Sequence, residues 1–135
     1  MKSFNPYLNF DGNAREAMTF YAKAFGEELY AQTFAEANMN PPGAENRLVH
    51  ARIGSGSAVL MASDTPPGMP VKQGNNYHIN IDCESEAEIE KLFDALGEDG
   101  KITMPLQDTF WGARFGMLTD RFGVNWMFNF EKPKK

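Results

Sequence analysis

The feature that most restricts what this chain can fold into is an internal repeat. At an offset of 71 residues, Tyr7-Leu8-Asn9-Phe10-Asp11 lies over His78-Ile79-Asn80-Ile81-Asp82. Continuing without a gap, Met18, Tyr21, Phe25 and Gly26 fall on Ile89, Leu92, Leu96 and Gly97. Self-similarity at a fixed spacing marks one supersecondary unit used twice, each copy needing company to bury its apolar surface. A chain of 135 residues has room for two such units in one domain and little more.

Each copy opens with a short alternating strand and continues into a helix. In the first, Ala14, Ala17, Met18, Tyr21, Ala22 and Phe25 have the spacing of one helix face, with Asn13 as the expected N-cap. The second helix is expected over 85–96. Ser85-Glu86-Ala87-Glu88 forms its capping box, and Ile89, Leu92, Phe93 and Leu96 face inward. Gly26 and Gly97 stand where a left-handed C-terminal cap is wanted.

Strand-like segments follow each helix. They are 29–34, 48–53 and 58–62 in the first half, the last two flanking the hairpin signal Gly54-Ser55-Gly56-Ser57. In the second half they are 102–104, 114–119 and 124–130, with a turn at Asp120-Arg121-Phe122-Gly123. The expected fold is α+β, built from tandem βαβββ modules with curved mixed sheets in a single domain over 1–135. Module one is 1–64, the linker 65–75 and module two 76–135. The proline- and glycine-bearing stretches 38–43 and 65–75 read as loops able to cover a site, with 66–75 as its expected cap.

Alternation sorts the strand residues by face. Leu8, Phe10, Ile79 and Ile81 form the set that packs on the helices, which leaves Tyr7, Asn9, His78 and Asn80 opposite. In the last strand, Val124, Trp126, Phe128 and Phe130 share one face, and Asn125, Met127 and Asn129 the other. A sheet covered by one helix still has a bare face. Pairing two such faces would enclose a cavity lined by the mixed polar and methionine residues.

Composition removes several function classes. A net charge of −5 gives nucleic acid no general attraction. The basic tail Lys132-Pro133-Lys134-Lys135 reads as a solvated end. No segment approaches the roughly 20 apolar residues of a membrane span, and the first residues lack the pattern of a signal peptide. The expectation is a soluble cytoplasmic protein with neither nucleic-acid nor membrane partners. The lone Cys83 excludes an internal disulfide and a cysteine-cluster zinc site, and no basic neighbour in sequence activates it. Glu84, Glu86, Glu88 and Glu90 suit a solvated helix start, and Asp11, Asp82 and Asp120 suit strand ends and turns. With two histidines, no Ser-His-acid arrangement can be argued.

Tyr7-Leu8-Asn9-Phe10-Asp11-Gly12-Asn13-Ala14-Arg15-Glu16-Ala17, with Phe20-Tyr21 and Phe25-Gly26, resembles the opening of vicinal-oxygen-chelate proteins. These are the glyoxalase, bleomycin-resistance and dioxygenase relatives. The segment from Asp108 through Trp111-Gly112-Ala113-Arg114 to Thr119-Asp120-Arg121-Phe122-Gly123-Val124-Asn125-Trp126 resembles the PhnB-like branch. That branch often carries a 3-demethylubiquinone 3-methyltransferase label. The resemblance implies paired βαβββ modules and commonly a homodimer. The methyltransferase label finds no glycine-rich strand-turn-helix start to support it.

Metal-dependent relatives place His or Glu at four inward strand positions. Carried over one at a time, these fall near Asn5 or Pro6, on Met61, on or next to His78, and on Met127. A thioether is a poor ligand for a hard divalent ion, so neither a tight metal site nor a cofactor is expected. His50 could add a second nitrogen or be a structural strand residue.

The expected ligand-binding residues are Tyr7, Asn9, Met61, His78, Asn80, Trp111, Arg114, Asn125, Met127 and Asn129. Trp111 could stack on a planar ligand, or pack against a partner module. Arg114 could pair with a carboxylate or phosphonate, or form a structural ion pair. As the single full charge of the set, Arg114 favours an anionic or carbonyl-bearing ligand. The reading is a homodimeric small-molecule binder. The alternative is a metal-dependent glyoxalase- or dioxygenase-type enzyme with a degenerate site around His78, which is also the one candidate general base.

Overall fold

Strand β1 (Tyr7–Phe10) feeds helix α1 (Ala14–Phe25), which is followed by β2 (Tyr30–Thr33), β3 (Leu48–Ser55) and β4 (Ala58–Asp64). The sheet order is β1-β4-β3-β2, with β1 parallel to β4 and the other pairs antiparallel. The same connection recurs in β5 (Ile79–Asp82), α2 (Glu86–Gly97), β6 (Lys101–Asp108), β7 (Ala113–Thr119) and β8 (Asn125–Glu131). Its sheet order is β5-β8-β7-β6, again with the first and last strands parallel. The repeat is thus two identically connected βαβββ units. The computed structural model describes residues 1–133; Lys134 and Lys135 of the basic tail lie outside the described residues. By internal packing the chain divides into Met1–Lys72 and Gln73–Lys135.

In the first unit, α1 buries Ala14, Ala17, Met18, Tyr21 and Ala22 against β3 and β4. Phe10, Leu48, Ala51, Ile53, Leu60 and Ala62 supply the sheet side of that core. In the second, Ile89, Leu92, Phe93 and Leu96 of α2 meet β6, β7 and β8. The Phe93 ring stands edge-on to Phe128, centroids 5.3 Å apart. Each fully buried side chain of this size contributes about 1.5–3 kcal/mol of hydrophobic free energy. The periodicities that marked the helices in the sequence are the faces that are buried, except that Phe25 at the end of α1 is half-buried.

Both helix ends of α1 are instructive. Gly26 ends it in the left-handed conformation, φ +68°, and the next N–H, that of Glu27, donates to the Ala22 carbonyl at 2.9 Å. At the other end Asn13 occupies the N-cap position, yet its side chain makes no capping bond. The Asp64 carboxylate does so instead, as Oδ1 accepts from the N–H groups of Gly12 and Ala14, each at 2.9 Å. For α2 the capping box forms: Ser85 Oγ accepts from Glu88 N–H at 3.0 Å, and Glu88 Oε1 accepts from Glu84 N–H at 2.9 Å. Gly97 is not a left-handed cap. It is the last helical residue, and the positive φ falls on Asp99, +57°. Glycine at 97 has a packing reason, since a Cβ there would stand 3.1 Å from Ile102 Cδ1.

The strand segment expected at 102–104 is longer, running over Lys101–Asp108. It continues through Pro105 because β6 is an edge strand, where one missing N–H can face outward. The pairing with β7 shifts register on both sides of Met104. Among the described residues, no helix is long and apolar enough to cross a membrane.

Candidate functional site

Register defines the bare face of each sheet. In the first unit Tyr7 pairs with Met61, Met61 with Arg52, and Arg52 with Tyr30, so these four side chains form a row across the strands. Asn9 pairs with Ser63 one step along, and His50 pairs with Gln32 beside Arg52. The intervening residues, Leu8, Phe10, Leu60 and Ala62, belong to the helix side, as alternation predicts. Tyr7 and Tyr30, on the two edge strands, remain 44% and 51% exposed on this face.

Contacts draw four of these side chains together. The Tyr7 hydroxyl lies 3.3 Å from His50 Nδ1, and the two rings are 5.9 Å apart. Tyr30 flanks His50 from the other side at 6.3 Å, and the Arg52 guanidinium lies 5.9 Å from the centre of the Tyr30 ring. Of this group Tyr7 and Met61 are expected site residues from the sequence, and His50 is open between a ligand contact and a structural role. Tyr30 and Arg52 are not among the residues expected from the sequence. Their signal was available in the alternation of β2 and β3, but β2 is only four residues long and its register is set by the fold.

In the second unit the row across the sheet is Asn80, Met127 and Met117, with Asp82, Asn129 and Phe115 one step along. Asp82 Oδ1 receives the side-chain amides of Asn80 at 3.3 Å and Asn129 at 3.4 Å. Asn80, Met127 and Asn129 therefore do share a face. His78 is exposed just before β5 and outside its ladder. Trp111, 56% exposed at the β6–β7 hairpin, stands edge-on to Phe110 at 5.0 Å and to Phe115 at 5.9 Å.

Two expected residues go elsewhere. Asn125 is buried and committed: its Oδ1 accepts from Thr119 Oγ1 at 2.7 Å and its Nδ2 donates to the Gly74 carbonyl at 2.8 Å. With Gln73 Nε2 donating to the Phe122 carbonyl at 3.0 Å, this ties the end of the 66–75 loop to the β7–β8 turn. Arg114 alternates onto the α2 side of its sheet, opposite Phe115. There its guanidinium meets Glu90 of α2 and Asp108 of β6, each at 3.5 Å, in the arrangement of a structural ion pair. The charge expected from Arg114 is therefore not on the bare face. In the first unit Arg52 supplies one.

The donor set does not fit a hard divalent ion. Met61 and Met127 bring thioethers to the middle of each bare face, and Asn5 bonds its neighbour Ser3 at 2.8 Å. Among the described residues there is no group of three or more His, Cys, Asp or Glu placed to hold a metal. Cys83 is buried, and burial pushes its thiol up to about 12, with Glu88 and Asp82 adding in the same direction. A thiol held neutral in this way is a poor nucleophile and ligand.

Comparison with known proteins agrees with this architecture. The profile of the Glyoxalase/Bleomycin resistance protein/Dioxygenase superfamily matches residues 3–128. Protein YjdN of Escherichia coli K12 is 35% identical, with 96% of each chain covered. Among solved structures, protein PA1353 from Pseudomonas aeruginosa is 44% identical, with a TM-score of 0.87 and coverage of 97% of this chain and 98% of that one. A PhnB protein from Bacillus cereus, which carries a provisional 3-demethylubiquinone-9 3-methyltransferase name, is 30% identical. Its TM-score is 0.78, with coverage of 94% of this chain and 98% of that one.

Proposed function

The chain belongs to the glyoxalase/bleomycin resistance protein/dioxygenase superfamily, and from that premise we propose that it is a PhnB-like binding protein for a small organic molecule, held on the bare faces of its βαβββ sheets without a tight metal site. The observation that carries this reading is the register pairing of Tyr7 with Met61 and of Asn80 with Met127. In both units a methionine takes the central position of the bare face, beside a polar or aromatic residue. Thioethers give adaptable apolar packing, while Tyr and Asn give hydrogen-bonding groups without fixed charge. Apolar walls with a few polar groups are the usual make-up of a small-molecule site.

Acid–base or covalent chemistry receives less support. His78 is the residue on which a degenerate metal site would depend, and among the described residues no group of three or more His, Cys, Asp or Glu is placed to hold a metal. The buried Cys83 is held as the thiol. The reading includes a cytoplasmic homodimer.

Elemental analysis of chain purified without chelator, paired with a small-molecule thermal-shift screen, tests the proposal. The expected result is well under one equivalent of transition metal together with at least one small organic compound that raises the melting temperature. A stoichiometric metal that His78→Ala removes would overturn it in favour of a metalloenzyme.

A further inference from the structure

Arg52 differs from the other arginines whose partners are described. Arg47 pairs with Asp11 at 2.8 Å, Arg114 with Glu90 and Asp108, and Arg121 with Glu98 and Asp99. Arg52 has no carboxylate within ion-pair distance among the described residues, and its guanidinium lies 5.9 Å from the centre of the Tyr30 ring. None of the residues that register on this face is acidic: they are Tyr7 and Asn9, Val59, Met61 and Ser63, His50 and Arg52, and Tyr30 and Gln32. In a chain of net charge −5 this is a cationic, aromatic surface kept clear of carboxylates.

The imidazole is oriented as well as present. Its bond to the Tyr7 hydroxyl engages Nδ1, and no hydrogen bond of Nε2 is present among the described residues, which leaves that nitrogen available to a ligand. The groups around it are Tyr7 from β1, Tyr30 from β2, and Arg52 two residues along its own strand.

Building on the binding function proposed above, we infer that this face is the recognition site for the oxyanion end of a planar organic acid. Arg52 and His50 take a carboxylate or phosphonate, and the rings of Tyr7 and Tyr30 flank the body of the ligand. A guanidinium offers two parallel donors to such a group, and its aromatic neighbour restrains it in the orientation that binding needs. Met61, next to both Tyr7 and Arg52 in register, supplies the floor.

The test uses the full chain, with benzoate and phenylphosphonate as probes and benzamide as the neutral counterpart of benzoate. Binding is read by calorimetry and by the NMR signals of the two imidazoles, which a His78→Asn variant assigns. Both anions are expected to bind saturably and to shift the His50 signals, with benzamide at least tenfold weaker than benzoate. Arg52→Gln should weaken the anions at least tenfold with an otherwise unchanged amide spectrum, because the residue is exposed and makes no ion pair among the described residues. Equal binding of benzamide and benzoate would overturn the inference, as would an Arg52→Gln chain that binds the anions undiminished. Anions that shift only the Asn80 and Asn129 side-chain amides would overturn this assignment and leave the broader binding function standing. A wide panel of neutral and charged compounds with no binder at all would remove that broader function.

Discussion

The Asp64 carboxylate, at the end of β4, accepts the backbone N–H of Ala14 at 2.9 Å and so caps helix α1 from another element. Its second oxygen accepts from Leu48 N–H at 2.9 Å, which ties β3 to the same group. Both of these donors are buried, and a buried donor left without a partner costs about 1–3 kcal/mol. Asp64→Ala is therefore expected to lower stability by about 3 kcal/mol or more. Asn13→Ala, which removes no capping bond, should cost less than about 0.5 kcal/mol. Urea unfolding of the two variants checks the contrast, and equal losses would contradict it.

The Cys83 thiol links stability to pH. Its folded value of about 12 lies above the ordinary 9.0, so the folded chain retains a proton that the unfolded chain gives up between those values. Stability should be indifferent to this group below pH 9 and should fall as pH rises from there toward 12. At pH 8 the folded thiol has about a thousandfold less thiolate, offset in part by the greater nucleophilicity of a more basic sulfur. Alkylation by iodoacetamide should be at least about thirtyfold slower in native protein than in denaturant, measured by mass spectrometry.

The repeat, the two helix faces and the strand order of residues by side were legible because they rest on period and alternation, which are local. What was not legible depends on partners distant in sequence. Asn13 had the composition of a cap, but Asp64 is brought to Ala14 by the parallel pairing of β1 with β4. The sequence offers Arg114 as a partner for a carboxylate or phosphonate, whereas alternation on β7 turns it toward Glu90. Arg52 and Tyr30 became visible as a pair only once β2 was registered against β3.

Gly116 on β7 lets α2 approach its sheet. A Cβ at this position would stand 2.8 Å from Phe93 Cε2 and 2.9 Å from Leu106 Cδ2. Gly116→Ala is expected to destabilise the chain by about 1–3 kcal/mol through overpacking. A Phe93→Leu change made together with it should recover part of the loss, since the two sites touch and their effects couple. Thermal melts of the single and double variants measure that coupling; strict additivity would argue against the contact.

A homodimer is expected because the second unit leaves Phe110 and Trp111 exposed side by side, their rings 5.0 Å apart. Soluble chains seldom leave such residues clustered without a use, and closed pairs are the commonest assembly. Sedimentation equilibrium at micromolar concentration should report twice the chain mass, and a stable monomer there would count against the pair.

The two tryptophans have opposite surroundings. Trp126 is 1% exposed and donates its indole N–H to Asp120 Oδ2 at 2.8 Å. Trp111 is 56% exposed beside Phe115, which shares its face with Met117 and Asn129. Acrylamide should therefore quench the Trp111 emission and leave that of Trp126 largely intact. Trp111→Phe should remove the quenchable fraction with stability changed by less than about 0.5 kcal/mol, whereas Trp126→Ala should cost about 3–5 kcal/mol. If Trp111 contributes to the ligand site, a compound found in the thermal-shift screen will protect it from acrylamide, and Trp111→Ala will weaken that compound. Unchanged quenching at saturating compound would place Trp111 outside the site and leave it a surface residue of the β6–β7 hairpin.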